Sequence, residues 1–237
     1  MRKDLPHTVD RYRDVFSKAG FSVGEPFIPA FSLSGKAEKE AAEITASSNP
    51  AGHKMIAVSP FAKHRTKMWP LGKMESLMAL LTEREKVFFM LFGGRDEAGD
   101  LELLAGKFPN SLVVAGGYDL QTELALISRM QFMISMDSSN MHMAALSGIP
   151  TVSIWGGTHP DTGFAPVGDQ GHIIIQTPNS ELGCRPCSVY GAKPCIRKDV
   201  INKCLEMISP GMVAEDIKRG GFLGNQSRDS ANSSKLL

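Results

Sequence analysis

Residues 133–157 read MISMDSSNMHMAALSGIPTVSIWGG, and this stretch decides the fold. An apolar run ends at Asp137, a short helical segment follows and stops at Gly148, and a second apolar run leads into Gly156-Gly157. The order strand, helix, strand is that of one βαβ unit, whose two strands run parallel. We therefore expect Asp137 and the residues after it at the carboxyl edge of a parallel sheet, where ligands bind in such folds.

The turn after Asp137 predicts an anion site. Ser138 and Ser139 are expected in the first turn of the helix, where unpaired backbone N–H groups and the helix dipole favour negative charge. His142 lies four residues after Ser138 and therefore shares that face of the helix. The alternative is that Asp137 and Ser138 only cap the helix.

The same alternation extends over residues 54–219. Apolar runs predict further strands, and helically spaced apolar residues fill the intervals between them; the six expected strands are residues 55–59, 87–92, 112–115, 132–136, 151–155 and 172–176. This pattern predicts an α/β fold with a Rossmann-like parallel sheet of about six strands and helices on both faces.

The two ends of the chain differ from this region. Residues 1–53 contain two helical stretches and a polar run, and they are predicted to be linker or appendage helices. Residues 220–237 are rich in Ser, Asn and Gly and are predicted to be a disordered tail. The predicted division is therefore 1–53, 54–219 and 220–237.

Composition narrows the classes of function. The 237-residue chain has a formal net charge of +1, which argues against nucleic acid or a membrane surface as a partner held by bulk electrostatics. No apolar run is long enough to span a bilayer, and the N-terminus lacks the apolar core of a signal peptide. We expect a cytoplasmic protein with no transmembrane segment and with reduced cysteines.

Two further loops are predicted at the same sheet edge. The loop of residues 59–70 is basic, and Lys67, just before a helix, is its best candidate to neutralise a diphosphate, with Thr66 beside it. The loop of residues 93–97 combines two glycines with Glu97, a candidate hydrogen-bond acceptor for a ribose. The alternatives are a solvated basic loop and an ordinary helix start.

A third loop, residues 156–161, contains Thr158 and His159, which either contact ligand or only shape the turn.

Several well-known sites are excluded by their motifs. The chain has neither G-x-G-x-x-G after a strand nor G-x-x-x-x-G-K-[ST], so the usual dinucleotide site and a P-loop are unsupported. It also lacks the G-x-S-x-G elbow of many hydrolases.

The combination of motifs resembles glycosyltransferase family nine, which contains the ADP-heptose:lipopolysaccharide heptosyltransferases. The resemblance rests on four features in order, over about residues 54–217: Lys67-x-Trp69-Pro70, a strand ending in Gly93-Gly94, Asp137-Ser138-x-x-x-His142, and a strand ending in Trp155-Gly156. It implies a GT-B architecture, of which this chain is similar to the C-terminal, donor-binding half.

By matched position, the resemblance makes Lys67 the phosphate-binding lysine and Asp137, Ser138 and His142 donor-site residues. Where the family more often has Gly and Pro, this chain has Ser139 and Asn140. The implied activity is inverting transfer from a nucleotide-diphospho-sugar, with ADP-heptose favoured, to a lipopolysaccharide core or related glycan.

The resemblance also implies what lies outside this chain. The acceptor site for a lipid-linked glycan and the general base belong to an N-terminal domain, so no catalytic base is assigned here. We expect that no cofactor is required for catalysis in such an enzyme. Peripheral association with the inner membrane is an open alternative to a purely cytoplasmic location. The competing hypothesis is a non-catalytic nucleotide-binding or assembly module.

The four cysteines raise a separate question. Four thiolates in one segment can hold a structural zinc, and the candidate ligands are Cys184, Cys187, Cys195 and Cys204. Their spacing is not that of a standard zinc knuckle, and free buried thiols are the alternative.

Overall fold

The computed structural model describes residues 5–24 and 28–224. The strands are β1 (Lys54–Ser59), β2 (Val87–Leu91), β3 (Ser111–Val113), β4 (Phe132–Met136), β5 (Thr151–Trp155) and β6 (Ile173–Gln176). The helices are α1 (Thr8–Lys18), α2 (Gly35–Ser48), α3 (Leu71–Arg84), α4 (Ala98–Ala105), α5 (Leu120–Ile127), α6 (Ser139–Leu146), α7 (Lys203–Glu206) and α8 (Pro210–Arg219).

The six strands form one parallel sheet in the order β3-β2-β1-β4-β5-β6. This is the doubly wound order, in which the order of strand addition reverses between β1 and β4 and leaves a crevice at the carboxyl ends of these two strands. The loops after these two strands carry Lys67 and Asp137, so the topology brings both residues to one place. The predicted Rossmann-like fold is confirmed.

Helices cover both faces of the sheet, as the apolar strands require. Alternate β1 residues point to opposite faces, with Ile56 and Val58 in one buried cluster and Ala57 in the other. The first cluster includes α3, α4, α7 and α8, and the second includes α2, α5 and α6.

Local signals explain where two of the helices begin and end. Asp119 caps α5 because its Oδ1 accepts a hydrogen bond from the backbone N–H of Thr122 at 2.8 Å. Gly148, with φ of +82°, lets the chain turn from α6 into β5.

Helix α2 contributes to the core, although it lies within the segment predicted to be a linker or appendage. Ala37 and Ala41 are fully buried against the second face of the sheet, and α2 packs on α5. The boundary at residue 54 stays a prediction. Of the predicted tail, residues 225–237 lie outside the described residues, whereas Leu223 is buried.

Replacing Ala41 by leucine tests whether α2 belongs to the domain. Three extra carbon atoms at a fully buried position should lower the free energy of unfolding by about 1–2 kcal/mol. The matched control is Ala42→Leu, on the exposed side of the same helix, which should change stability little. Equal urea midpoints for the two variants would show that α2 is a dispensable appendage.

None of the helices within residues 5–24 and 28–224 combines the length and the apolar character of a membrane span.

Candidate functional site

A cavity of about 710 Å³ opens at the carboxyl edge of the sheet. Most of the predicted ligand-binding residues line it, together with several aromatic and small side chains from neighbouring loops. The lining residues are Phe61, Ala62, Lys63, His64, Lys67, Gly94, Asp96, Glu97, Asp137, Ser138, Ser139, Asn140, His142, Phe164, Val189 and Tyr190.

Asp137 is the buried centre of this cavity. It follows the last residue of β4, and only 5% of its surface is exposed. Its Oδ2 lies 2.8 Å from Lys67 Nζ and accepts a hydrogen bond from the Thr158 hydroxyl at 2.7 Å. A carboxylate this buried is costly unless it is paired, so these two donors account for its position.

The N-terminus of α6 lies beside this ion pair. Ser138 is the N-cap residue and not part of the first turn as predicted, while Ser139 is the first helical residue. The Ser138 hydroxyl makes no capping bond, and its Oγ is buried with no hydrogen-bond partner among the described residues. Since an unpaired buried hydroxyl is unfavourable, rotation of this side chain toward the cavity would let a ligand supply the missing hydrogen-bond partner.

His142 lines the same cavity from α6. Burial lowers its pKa below the ordinary value of 6.5, and the nearby Asp137 charge only partly opposes this shift. We therefore expect a neutral imidazole at neutral pH, which can donate or accept a hydrogen bond without adding charge.

This pKa shift predicts a loss of stability in acid. The unfolded chain binds a proton at His142 more readily than the native state, so the free energy of unfolding should fall as pH drops through about 6.5. His142→Gln should make that fall shallower, as measured by urea unfolding at pH 7.5 and 5.5. Some pH dependence should remain, because burial also lowers the pKa of His172. An unchanged pH dependence would contradict the prediction.

Lys67 is in contact with the loop around Gly191, which lies between Cys187 and Cys195. Gly191 has φ of +81°, and a Cβ there would lie 2.7 Å from Lys67 Cε, so only glycine permits this contact with the lysine stem. Thr66 donates from its hydroxyl to the Gly191 carbonyl at 2.7 Å and accepts at its own carbonyl from Gly157 N–H at 2.7 Å. Thr66 therefore joins loops and is not among the residues that line the cavity; its role in donor binding stays a prediction.

The glycine-rich loop of residues 93–97 also reaches the cavity. Glu97 closes its own turn, since its Oε2 accepts a hydrogen bond from the Gly94 N–H at 2.7 Å. Both Asp96 and Glu97 line the cavity wall. Glu97 stays a candidate for contact with a ribose.

The structure adds residues that no motif indicated. Phe164 and Tyr190 lie at the cavity edge with ring centroids 5.6 Å apart. Asn140 lies within the Asp137–His142 motif but had no predicted role; it donates to the Ser59 hydroxyl at 2.7 Å and so ties α6 to the end of β1. The sequence around Phe164 and Tyr190 carries no spacing signal that relates these two residues to Asp137.

The structure does not support the predicted zinc site. Within the described residues, no three His, Cys, Asp or Glu side chains are grouped as metal ligands. Burial raises the pKa of the Cys204 thiol to about 11, which favours the neutral thiol over the thiolate that zinc binds. All four cysteines are free of disulfide bonds.

Comparison with known structures agrees with this architecture. The chain is 19% identical to Escherichia coli ADP-heptose lipopolysaccharide heptosyltransferase II, with a TM-score of 0.67 over 93% of this chain and 63% of that one. A family 9 glycosyltransferase from Veillonella parvula gives 19% identity, a TM-score of 0.73, and coverage of 93% and 62%. The E. coli heptosyltransferase WaaC with ADP is 18% identical to this chain, with a TM-score of 0.62 over 92% of this chain and 58% of that one. The chain thus spans less than two thirds of the length of these proteins.

Comparison with curated protein sequences finds no match. The model of glycosyltransferase family 9 (heptosyltransferase), however, matches residues 1–193, which is most of the chain. Together with the parallel sheet and the position of Lys67 and Asp137, this match shows that the chain belongs to glycosyltransferase family 9.

Proposed function

We propose that this chain binds the nucleotide-diphospho-sugar donor, with ADP-heptose favoured, for transfer of the sugar to a lipopolysaccharide core or related glycan. The observation that carries the proposal is the buried Lys67–Asp137 pair at the N-terminus of α6, next to the unpartnered Ser138 hydroxyl. A cation, a helix N-terminus and a free hydroxyl together suit a diphosphate.

The nucleotide is proposed from the related structures. Two structures of the E. coli heptosyltransferase WaaC contain ADP and ADP-2-deoxy-2-fluoro heptose, respectively. These ligands were found in WaaC and not in this chain. At 18–19% identity, the similarity between the two proteins shows a shared fold alone. Glu97 and Asp96 on the cavity wall supply acceptors that suit the hydroxyl groups of a ribose.

The proposed mechanism is an inverting displacement. A deprotonated acceptor hydroxyl attacks the anomeric carbon as the nucleoside diphosphate leaves with its bonding electrons. Lys67 and the N–H groups at the start of α6 would stabilise the negative charge that grows on the leaving diphosphate. One such well-placed donor can be worth ~3 kcal/mol in the transition state.

The acceptor and the general base would come from a second domain. More than a third of each related structure lies outside the part that this chain matches. The surface of α1 fits such a domain, because Tyr12, Val15 and Phe16 are each more than half exposed on a helix that buries none of its residues. If the acceptor glycan is lipid-linked, the complete enzyme would work at the surface of the inner membrane.

The test is calorimetric titration of the purified chain with ADP, UDP and GDP. We expect ADP to bind most tightly, and Asp137→Asn to weaken binding by releasing Lys67 from its partner. The matched control is Asp100→Asn, which removes an exposed carboxylate outside the cavity and should leave binding unchanged. Absence of binding to all three nucleotides would overturn the proposal and favour a module without turnover.

A further inference from the structure

Asp137 has two donors on one carboxylate oxygen, and only one of them faces the cavity. Lys67 lines the cavity, whereas Thr158 lies behind Asp137 with no exposed surface. The Thr158 hydroxyl reaches Oδ2 at 2.7 Å, as close as the 2.8 Å of Lys67 Nζ. Thr158 can therefore affect a ligand only through Asp137.

Thr158 is itself held in a rigid turn. It follows β5, and its carbonyl accepts a hydrogen bond from Arg185 Nη2 at 2.9 Å. The same guanidinium donates to the carbonyls of Gly156 at 2.5 Å and Thr177 at 2.6 Å. Arg185 is 1% exposed, and the fixed geometry of its donors holds the ends of β5 and β6 together.

A second donor restricts where the charges of the site can lie. A hydrogen bond to a carboxylate is strong in a buried, poorly screened environment. With the lysine alone, Asp137 could rotate and take the long, flexible Lys67 side chain with it. With Thr158 attached to a fixed turn, both charges are oriented before a ligand arrives, which reduces the cost of binding.

We propose that Thr158 is a positioning residue of the donor site, whose hydroxyl orients Asp137 and, through it, the Lys67 ammonium group for the diphosphate of the ligand. The inference rests on the proposed function, because it names a residue that prepares the same site.

The first experiment compares Thr158→Val, which keeps the shape and removes the hydroxyl, with Thr158→Ser, which keeps the hydroxyl. We expect ADP to bind about tenfold more weakly to the valine variant and within about twofold of the wild type to the serine variant. Adenosine, which lacks the diphosphate, should bind both variants as it binds the wild type in an NMR titration.

The matched control is Thr177→Val. It removes another buried threonine hydroxyl, which donates to the Cys204 carbonyl at 2.7 Å and does not touch Asp137. ADP affinity should be unchanged in this variant. Wild-type ADP affinity in a folded Thr158→Val protein, or equal losses for ADP and adenosine, would overturn the proposal.

A second measurement needs no nucleotide. The urea midpoints of Thr158→Val, Lys67→Met and the double variant form a cycle, and two residues that share Asp137 should give non-additive shifts. Additive shifts would overturn the proposal. Should the wild type bind no nucleotide, the proposed function fails, and this cycle alone decides whether Thr158 orients the Lys67–Asp137 pair.

Discussion

Lys67→Ala is expected to weaken ADP binding by about 100-fold, the largest effect of any single substitution on ligand affinity. The variant loses the cation that would face the diphosphate, and it leaves the buried Asp137 carboxylate without its charged partner. An unpaired carboxylate at this place also repels the ligand. Calorimetric titration with ADP measures the change, and urea unfolding at the same pH separates it from a loss of folded protein.

Arg65→Ala is the matched control for this prediction. Arg65 lies two residues before Lys67 in the same basic loop, but it is exposed and outside the cavity wall. Losing its charge should change ADP affinity by no more than a few-fold through long-range electrostatics. Similar losses for the two variants would mean that the loop attracts nucleotide only by its net charge, and that Lys67 has no special position.

Gly156→Ala should lower the free energy of unfolding by about 3 kcal/mol and weaken ADP binding as well. A Cβ at this position would overlap the carbonyl oxygen of Thr66 and lie 2.8 Å from Leu205 Cδ1. That carbonyl accepts the hydrogen bond from Gly157 N–H that joins the Lys67 loop to the turn after β5. The added methyl group would push the two loops apart, because the Thr66 backbone cannot move aside as the flexible end of a side chain can.

The control for this prediction is Gly72→Ala, in the first turn of α3. No atom lies within 4 Å of a Cβ built there, so the variant should be as stable as the wild type or slightly more stable. Thermal unfolding compares both variants with the wild type. A fully stable Gly156→Ala protein with normal ADP affinity would show that the contact between the two loops does not determine the shape of the site.

The pattern of apolar runs was sufficient to predict the strands of the sheet, because the formation of each strand depends mainly on residues close together in the chain. All six predicted strands are present, with shifts of one or two residues at some ends. For β3, residues 112–115 were predicted and Ser111–Val113 are found. Strand ends shift in this way because hydrogen bonds to the neighbouring strand, and not the residues themselves, decide where pairing stops.

Other features that the sequence did not indicate arise where distant parts of the chain meet. Helix α2 has the short alanine side chains that allow close packing on α5, but a sequence of small and charged residues gives little sign of burial. Thr66 was placed among the ligand-binding residues because of its neighbour Lys67, whereas its hydroxyl is used by Gly191, which lies 125 residues away in the chain.

The sequence by itself determined the fold class and the placing of Lys67 and Asp137 at one edge of the sheet, because a parallel sheet brings the ends of its strands to one edge whatever the loops contain. Only the tertiary structure decided which donors reach Asp137 Oδ2, that the Thr66 hydroxyl bonds to Gly191, and that Phe164 and Tyr190 line the cavity edge. Those contacts depend on loop conformation and side-chain burial, which arise from packing between segments far apart in the chain.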